Sequence, residues 1–300
     1  MKNNIYILAF LAAFTLNACS GGEKDTDDPA AQNVHMETLD DAALFDAVIS
    51  GKHRSDEERA RDEYRHPKET LEFFGLEPSM VVVEAWPGGG WYSQILAPYL
   101  KHGGGKLYAA GFSPVGANER VLKSLDTYEK LYINKPDLYG DVEMTVLGDG
   151  AIAPAGTADL IVTFRNIHNW QERGSIDEFF ADFYRALKPG GVLGIVEHRA
   201  DGAELPEDGS TGYVYSRDVI AMAEKAGFDF DSASEINANP KDTKDHPFGV
   251  WTLPPGLRQS EIRGVENPDF DTSKYIAIGE SDRMTLKFRK PIAADGALLE

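Results

Sequence analysis

Two short clusters hold the residues best suited to chemistry. The first is Glu84-Ala85-Trp86-Pro87-Gly88-Gly89-Gly90, an acid followed by a glycine-rich turn. Glycines let a backbone approach a ligand closely and adopt dihedrals closed to other residues. The dinucleotide spacing G-x-G-x-x-G, which would seat a pyrophosphate on a helix N-terminus, is absent here. The second cluster is Arg165-Asn166-Ile167-His168-Asn169-Trp170 together with Glu197-His198-Arg199. His168 and His198 are candidate general bases, because free imidazole titrates near neutrality. Glu84, His168, Glu197 and His198 have the ligand types for a metal ion, but no H-E-x-x-H spacing supports one, and no metal is expected. Both clusters have a plainer alternative: a tight turn that binds nothing, and histidines satisfied within a core.

The elements needed to position these residues follow from hydrophobic pattern. Met80–Ala85 is a continuous apolar run ending at the acid, as a buried strand would be. Further strands are expected at 106–112, 142–147, 158–164, 191–197, 228–236 and 283–289. Helices are expected at 91–100, 115–131, 175–187 and 216–226. Strands alternating with helices imply a parallel sheet covered on both faces. Right-handed crossovers then make the sheet doubly wound, and its ligands bind beyond the carboxyl ends of the strands. Both clusters lie at such ends. Residues 36–76 read as an N-terminal helical extension, with Pro67 opening a helix that Gly75 stops. The charge run 56–63 reads as a solvated helix face. The segment 242–255, with His246 and Trp251, reads as an irregular insertion able to cover the crevice.

The first 18 residues look like a processing signal. Lys2 precedes an apolar run, Ile5–Leu16, that is too short to span a bilayer. Leu16-Asn17-Ala18-Cys19 resembles a bacterial lipobox, which implies a lipid on Cys19. Cys19 is the only cysteine, so no intrachain disulfide can form. Residues 19–35 read as a flexible tether and 36–300 as one domain. These features predict an exported lipoprotein held by its lipid, with Ser20 pointing to the periplasmic face of the outer membrane. A formal charge of −19, from 49 acidic and 30 basic residues, argues against a nucleic-acid partner and against electrostatic adhesion to an anionic bilayer.

Several segments together resemble the class I S-adenosylmethionine-dependent methyltransferases. Glu84 and the turn at 87–90 stand at that family's acid and G-x-G, with Trp86 and Pro87 where small residues are usual. Gly148-Asp149, Ala158–Val162, Asn166–Trp170 and Lys188-Pro189-Gly190-Gly191 match later motifs in order. The motifs also resemble a group of predicted bacterial methyltransferase-like proteins carrying W-P-G-G-G-W-Y and H-N-W. The resemblance implies a Rossmann-like, seven-stranded, mostly parallel sheet with S-adenosylmethionine as cofactor. Glu84, Trp86, Gly88, Gly90 and Asp149 would hold the cofactor. His168, Asn166 and His198 would serve transfer to a small-molecule acceptor. Gly111 is a departure, since the family's second strand usually ends in an acid that binds the ribose. An exported protein would also need a charged cofactor made in the cytoplasm. The alternative is therefore a methyltransferase fold that binds a ligand or partner in the periplasm without transferring methyl groups.

Overall fold

The computed structural model describes residues 39–202, 205–206 and 209–292. The readings of the signal, of Cys19 and of the tether fall outside the described residues. The described residues belong to a compact unit that begins at Leu39.

Four helices precede the sheet: α1 (Asp41–Ile49), α2 (Asp56–Arg59), α3 (Asp62–Arg65) and α4 (Pro67–Phe74). Helix α1 is capped by the Asp40 carboxylate, which accepts from Ala43 N. A reciprocal capping box between Ser55 and Glu58 starts α2. The sequence then alternates as expected: β1 (Val81–Ala85), α5 (Ser93–Gly103), β2 (Lys106–Gly111), α6 (Glu119–Tyr128), α7 (Pro136–Tyr139), β3 (Val142–Val146), β4 (Ala158–Phe164), α8 (Ile167–Arg173), α9 (Ile176–Ala186) and β5 (Leu187–Ala200). The two-residue β6 (Val214–Tyr215), α10 (Ser216–Lys225), β7 (Asp229–Ser234), α11 (Ser273–Ile278) and β8 (Arg283–Arg289) complete the unit.

The sheet runs β3-β2-β1-β4-β5-β8-β7. Strands β1 to β5 are parallel, whereas β8 is antiparallel to both β5 and β7. Side-chain alternation along β5 shows that both faces are covered. Leu193 and Ile195 join Phe180, Phe183 and Val219 in the core cluster, while a Cβ on Gly194 would meet the Phe74 ring of α4 at 2.7 Å. Because β1 has β2 on one side and β4 on the other, the winding reverses there, and a crevice opens beyond the ends of β1 and β4.

Three expectations need correction. The sheet has eight strands, because β6 pairs with Arg199 and Ala200 of β5. Strand β5 starts earlier than expected, at Leu187: Lys188-Pro189-Gly190-Gly191 lies within it as a bulge, because Ala158 and Leu160 of β4 pair with Leu187 and Val192. The Asn166–Trp170 motif, where no helix was expected, leads into helix α8 at Ile167, closed by the left-handed Gly174. Its inward residues Ile167, His168 and Trp170 are buried, too few to reveal a helical period in the sequence.

Candidate functional site

A cavity of about 540 Å³ lies at the crevice. Glu84, Trp86 and Gly88 come to it from the β1 end, Asn166 and His168 from the β4 end, and His198 from β5. Six of the eight expected site residues thus share one cavity. Both strand ends carry a non-glycine residue in the left-handed region: Trp86 at φ 50° and Arg165 at φ 63°. Such strain costs on the order of 1 kcal/mol and collects at binding sites. Asn166 stitches the two ends together. Its amide donates to the carbonyls of Ala85 (3.1 Å) and Trp86 (3.3 Å) and to Thr163 Oγ1 (3.0 Å). Asn166 therefore positions the turn through its amide nitrogen.

His168 has the geometry of a held base. Its Nδ1 donates to Glu197 Oε1 at 3.0 Å, leaving Nε2 beside Asn169 Nδ2 at 2.9 Å on the cavity side. Fully buried Glu197 also accepts from the backbone N–H of Ile167 (2.5 Å), His168 (3.4 Å) and His198 (2.8 Å). These charge-assisted bonds fix the carboxylate, and the carboxylate fixes the imidazole tautomer. His198 shares a 2.5 Å hydrogen bond with Ser281 Oγ. Burial holds its pKa well below the usual histidine range, with the positive fields of His168, Arg165, Arg283 and Arg65 adding to that, so it stays neutral. Ligand atoms of His168, Glu197 and His198 lie within 4.8 Å of one another. Glu197 and His168 Nδ1 already bond each other, and the positive fields of Arg165, Arg283 and Arg65 reach His198, a setting that disfavours a cation.

Glu84 is fully buried and accepts from Ser93 Oγ at 2.6 Å, and Tyr128 donates to the same hydroxyl at 2.9 Å. Burial raises the Glu84 pKa to about 7.

Sequence reading missed one wall. Arg61, in the supposedly solvated run, and Arg65 just beyond it converge with Arg165 and Arg283 on Glu280. Burial opposes ionisation of Glu280, but the four guanidiniums hold its carboxyl down at about 2. The 242–255 insertion does cover the crevice, through Val250, Trp251, Leu253 and the Pro254-Pro255 pair. His246 does not reach it. It is buried against Asp242, which also receives the Tyr213 hydroxyl. Arg199 is likewise outside, paired with Asp282 and Glu235.

Two other expected cofactor residues are also outside the cavity. A Cβ on Gly90 would sit 2.3 Å from the Tyr132 hydroxyl, so this glycine exists to admit a ring and does not face a ligand. Asp149 is exposed, because the flanking Gly148 and Gly150 N–H groups are tied to Asp182 at 2.9 and 3.3 Å.

No protein-family model matches the chain, and no curated protein does. Solved structures share its fold. The [4+2]-cyclase SpnF is 16% identical with a TM-score of 0.52, over 81% of this chain and 86% of that one. A SAM-dependent methyltransferase from Aquifex aeolicus is 21% identical with a TM-score of 0.44, over 66% of this chain and 94% of its own. A putative sarcosine dimethylglycine methyltransferase from Galdieria sulphuraria is 14% identical with a TM-score of 0.49, over 78% and 88%. The likeness to the cyclase establishes the Rossmann-like fold. At such identities it does not carry over a reaction.

The residues fit S-adenosylmethionine at one end only. For the amino-acid end, Gly88 at φ 60° would place an added Cβ in open space, so its backbone is approachable, and Glu84 stands behind it as a buried acid. The nucleoside would lie along Gly111 at the β2 end. There only about 30 Å³ is open, between Trp86, Gly88, Gly111, Phe112 and Tyr128. That is room for a water or two. The Trp86 indole fills the rest, packed on Phe112 at 4.3 Å, edge-on to Trp170 (5.7 Å) and Phe179 (5.9 Å), with the Arg173 guanidinium 5.2 Å from its ring centre. Trp86 therefore closes the nucleoside end in this conformation, so it does not offer a free stacking face.

Proposed function

We propose that the protein is an S-adenosylmethionine-dependent methyltransferase whose small-molecule acceptor occupies the crevice cavity. One observation carries this reading: Glu84, Gly88 and His168 surround a single cavity at the switch point of a Rossmann-like sheet. Gly88 and Glu84 would receive the methionyl part of the cofactor, which supplies an electrophilic methyl group when bound. His168 Nε2 would take the proton from the acceptor, which displaces Asn169 as the hydrogen-bond donor to that nitrogen. Glu197 would stabilise the imidazolium that forms. Asn166 keeps the β1 turn and the β4 end in register, and the insertion around Trp251 excludes water. Seating the nucleoside requires the Trp86 indole to leave Phe112.

A second reading is ligand binding, or another reaction, in the same cavity without S-adenosylmethionine. The closed nucleoside end and Gly111 favour it. Calorimetric titration with S-adenosylmethionine and S-adenosylhomocysteine separates the two. Saturable binding below millimolar concentration supports the first reading. No heat from either the wild type or Trp86→Gly supports the second.

We further propose that the protein works as an exported lipoprotein, lipidated at Cys19 on the periplasmic face of the outer membrane. No helix among the described residues is long and apolar enough to cross a membrane, so the lipid would be the attachment.

A further inference from the structure

One wall of the cavity carries more positive charge than its own packing can use. Three of the four arginines around Glu280 touch it: Arg61 Nε at 2.7 Å, Arg65 Nε at 3.2 Å and Arg283 Nη2 at 3.3 Å. Arg165, from the strained end of β4, makes no ion pair among the described residues, although it too lies within the field of Glu280. Four guanidiniums thus act on the single carboxylate of Glu280, in a chain whose net charge is −19, although Glu58 and Glu84 also line the cavity.

Their donors are in part unmatched. Both terminal nitrogens of Arg65 and Nη2 of Arg61 are buried with no hydrogen-bond partner among the described residues, and Arg65 is only 1% exposed. Burial lowers the pKa of Arg65 to about 9, with Arg165 adding to the effect, and burial also lowers that of Arg283. Buried guanidinium donors without acceptors are costly, so such an arrangement gains from incoming oxygen atoms. Arg61, Arg165 and Arg263 line the cavity. The rest of the lining includes a ring surface. Tyr92 and Phe164 stack at 3.4 Å, and Trp251 with Pro254 belongs to the cover.

We propose that this cavity takes an anionic ligand, a carboxylate or phosphate held by Arg165 and Arg61, whose apolar body lies against Tyr92, Phe164 and Trp251. The proposal rests on the reading of this cavity as the acceptor site, but not on methyl transfer. Guanidinium groups match the paired oxygens of both anions. A neutral ligand would leave the wall's donors unsatisfied.

The test is calorimetric titration of the protein with benzoate, phenyl phosphate and uncharged benzamide. It is repeated in Arg165→Gln and Arg61→Gln, with thermal unfolding of each unliganded protein. At least one anion should bind ten- to a hundredfold tighter than benzamide, roughly the value of one charged hydrogen bond. Either substitution should remove most of that preference. Unliganded Arg165→Gln should melt no lower than wild type, since an unmatched charge is gone. Equal affinity for benzoate, phenyl phosphate and benzamide would overturn the proposal. So would variants that melt lower yet bind the anions unchanged, since the arginines would then serve the fold. Mutual exclusion of the anion and S-adenosylmethionine would also overturn it, because the wall would then be holding the cofactor's own carboxylate. Binding of an anion without any binding of S-adenosylmethionine would keep this proposal and sink the methyltransferase reading.

Discussion

Trp86→Gly should tighten the binding of S-adenosylmethionine. To admit a nucleoside the indole must leave Phe112, Trp170 and Phe179 and lose the Arg173 contact. Aromatic pairs contribute about 0.5–1.5 kcal/mol each and a cation–π contact about 0.5–1, so displacement costs about 2–5 kcal/mol. Part of this is recovered wherever the ring settles. At about 1.4 kcal/mol per decade, the substitution should improve affinity by about one to three decades. Glycine also tolerates the φ of 50° that strains tryptophan there. Gly111→Asp supplies a second arm. A Cβ at Gly111 meets only Leu125 Cδ2, at 3.7 Å, and its φ is not left-handed, so an acid can be accommodated. In the wild type the acid should do little, because Trp86 still closes the strip. In the Trp86→Gly background it should add about 1.5–3 kcal/mol from charged hydrogen bonds to the ribose. The two changes are therefore strongly coupled. Calorimetry on the four proteins, with folding checked by denaturation, gives the cycle. If Trp86→Gly binds no tighter than wild type while remaining folded, the indole is not a plug and the reasoning fails.

Other consequences can be checked separately. Glu197→Gln replaces an acceptor of four N–H groups by an amide that must point a donor at some of them, so it should cost about 3–5 kcal/mol by chemical denaturation. In the folded variant, nitrogen NMR should show His168 losing its single tautomer; an unchanged tautomer would mean that Glu197 does not orient the ring. Burial raises the Glu84 pKa from 4.5 to about 7. A raised carboxyl pKa favours the fold while the group is protonated, so that contribution is complete below about pH 4.5 and is lost as pH rises through 7. The loss amounts to about 3 kcal/mol, and Glu84→Gln should flatten the stability profile across that window. Cys19→Ala should release the protein from membranes or leave it unprocessed; an unchanged membrane-bound mature form would count against lipidation.

Much of the sheet was legible: the parallel strand Ala158–Phe164 is a nearly continuous apolar run, the antiparallel Arg283–Arg289 alternates Met284, Leu286 and Phe288 into the core, and both appear with the expected bounds. The strand-end rule then placed Glu84, Gly88, His168 and His198 in one cavity. What stayed hidden depended on side-chain direction or on distant partners. The rotamer of Trp86, and so its role as a plug, is set by Phe112, Trp170 and Phe179, which no local pattern ties to it. The arginine wall joins Arg61 and Arg65 to residues more than 200 positions away, and within its own segment the run looks like an ordinary solvated helix. Arg165 was visible beside the histidine cluster; its left-handed backbone and its lack of an ion pair among the described residues were not. Gly90 looked like part of the cofactor turn because sequence cannot distinguish a glycine that admits a ligand from one that admits Tyr132.

The most direct test of the central claim is a crystal structure of the protein grown with saturating S-adenosylhomocysteine. The account predicts the ligand's amino-acid end against Gly88 and Glu84, its nucleoside beside Gly111, and the Trp86 indole swung off Phe112. Trp86 still packed on Phe112, with no ligand along the β1 turn, would contradict it.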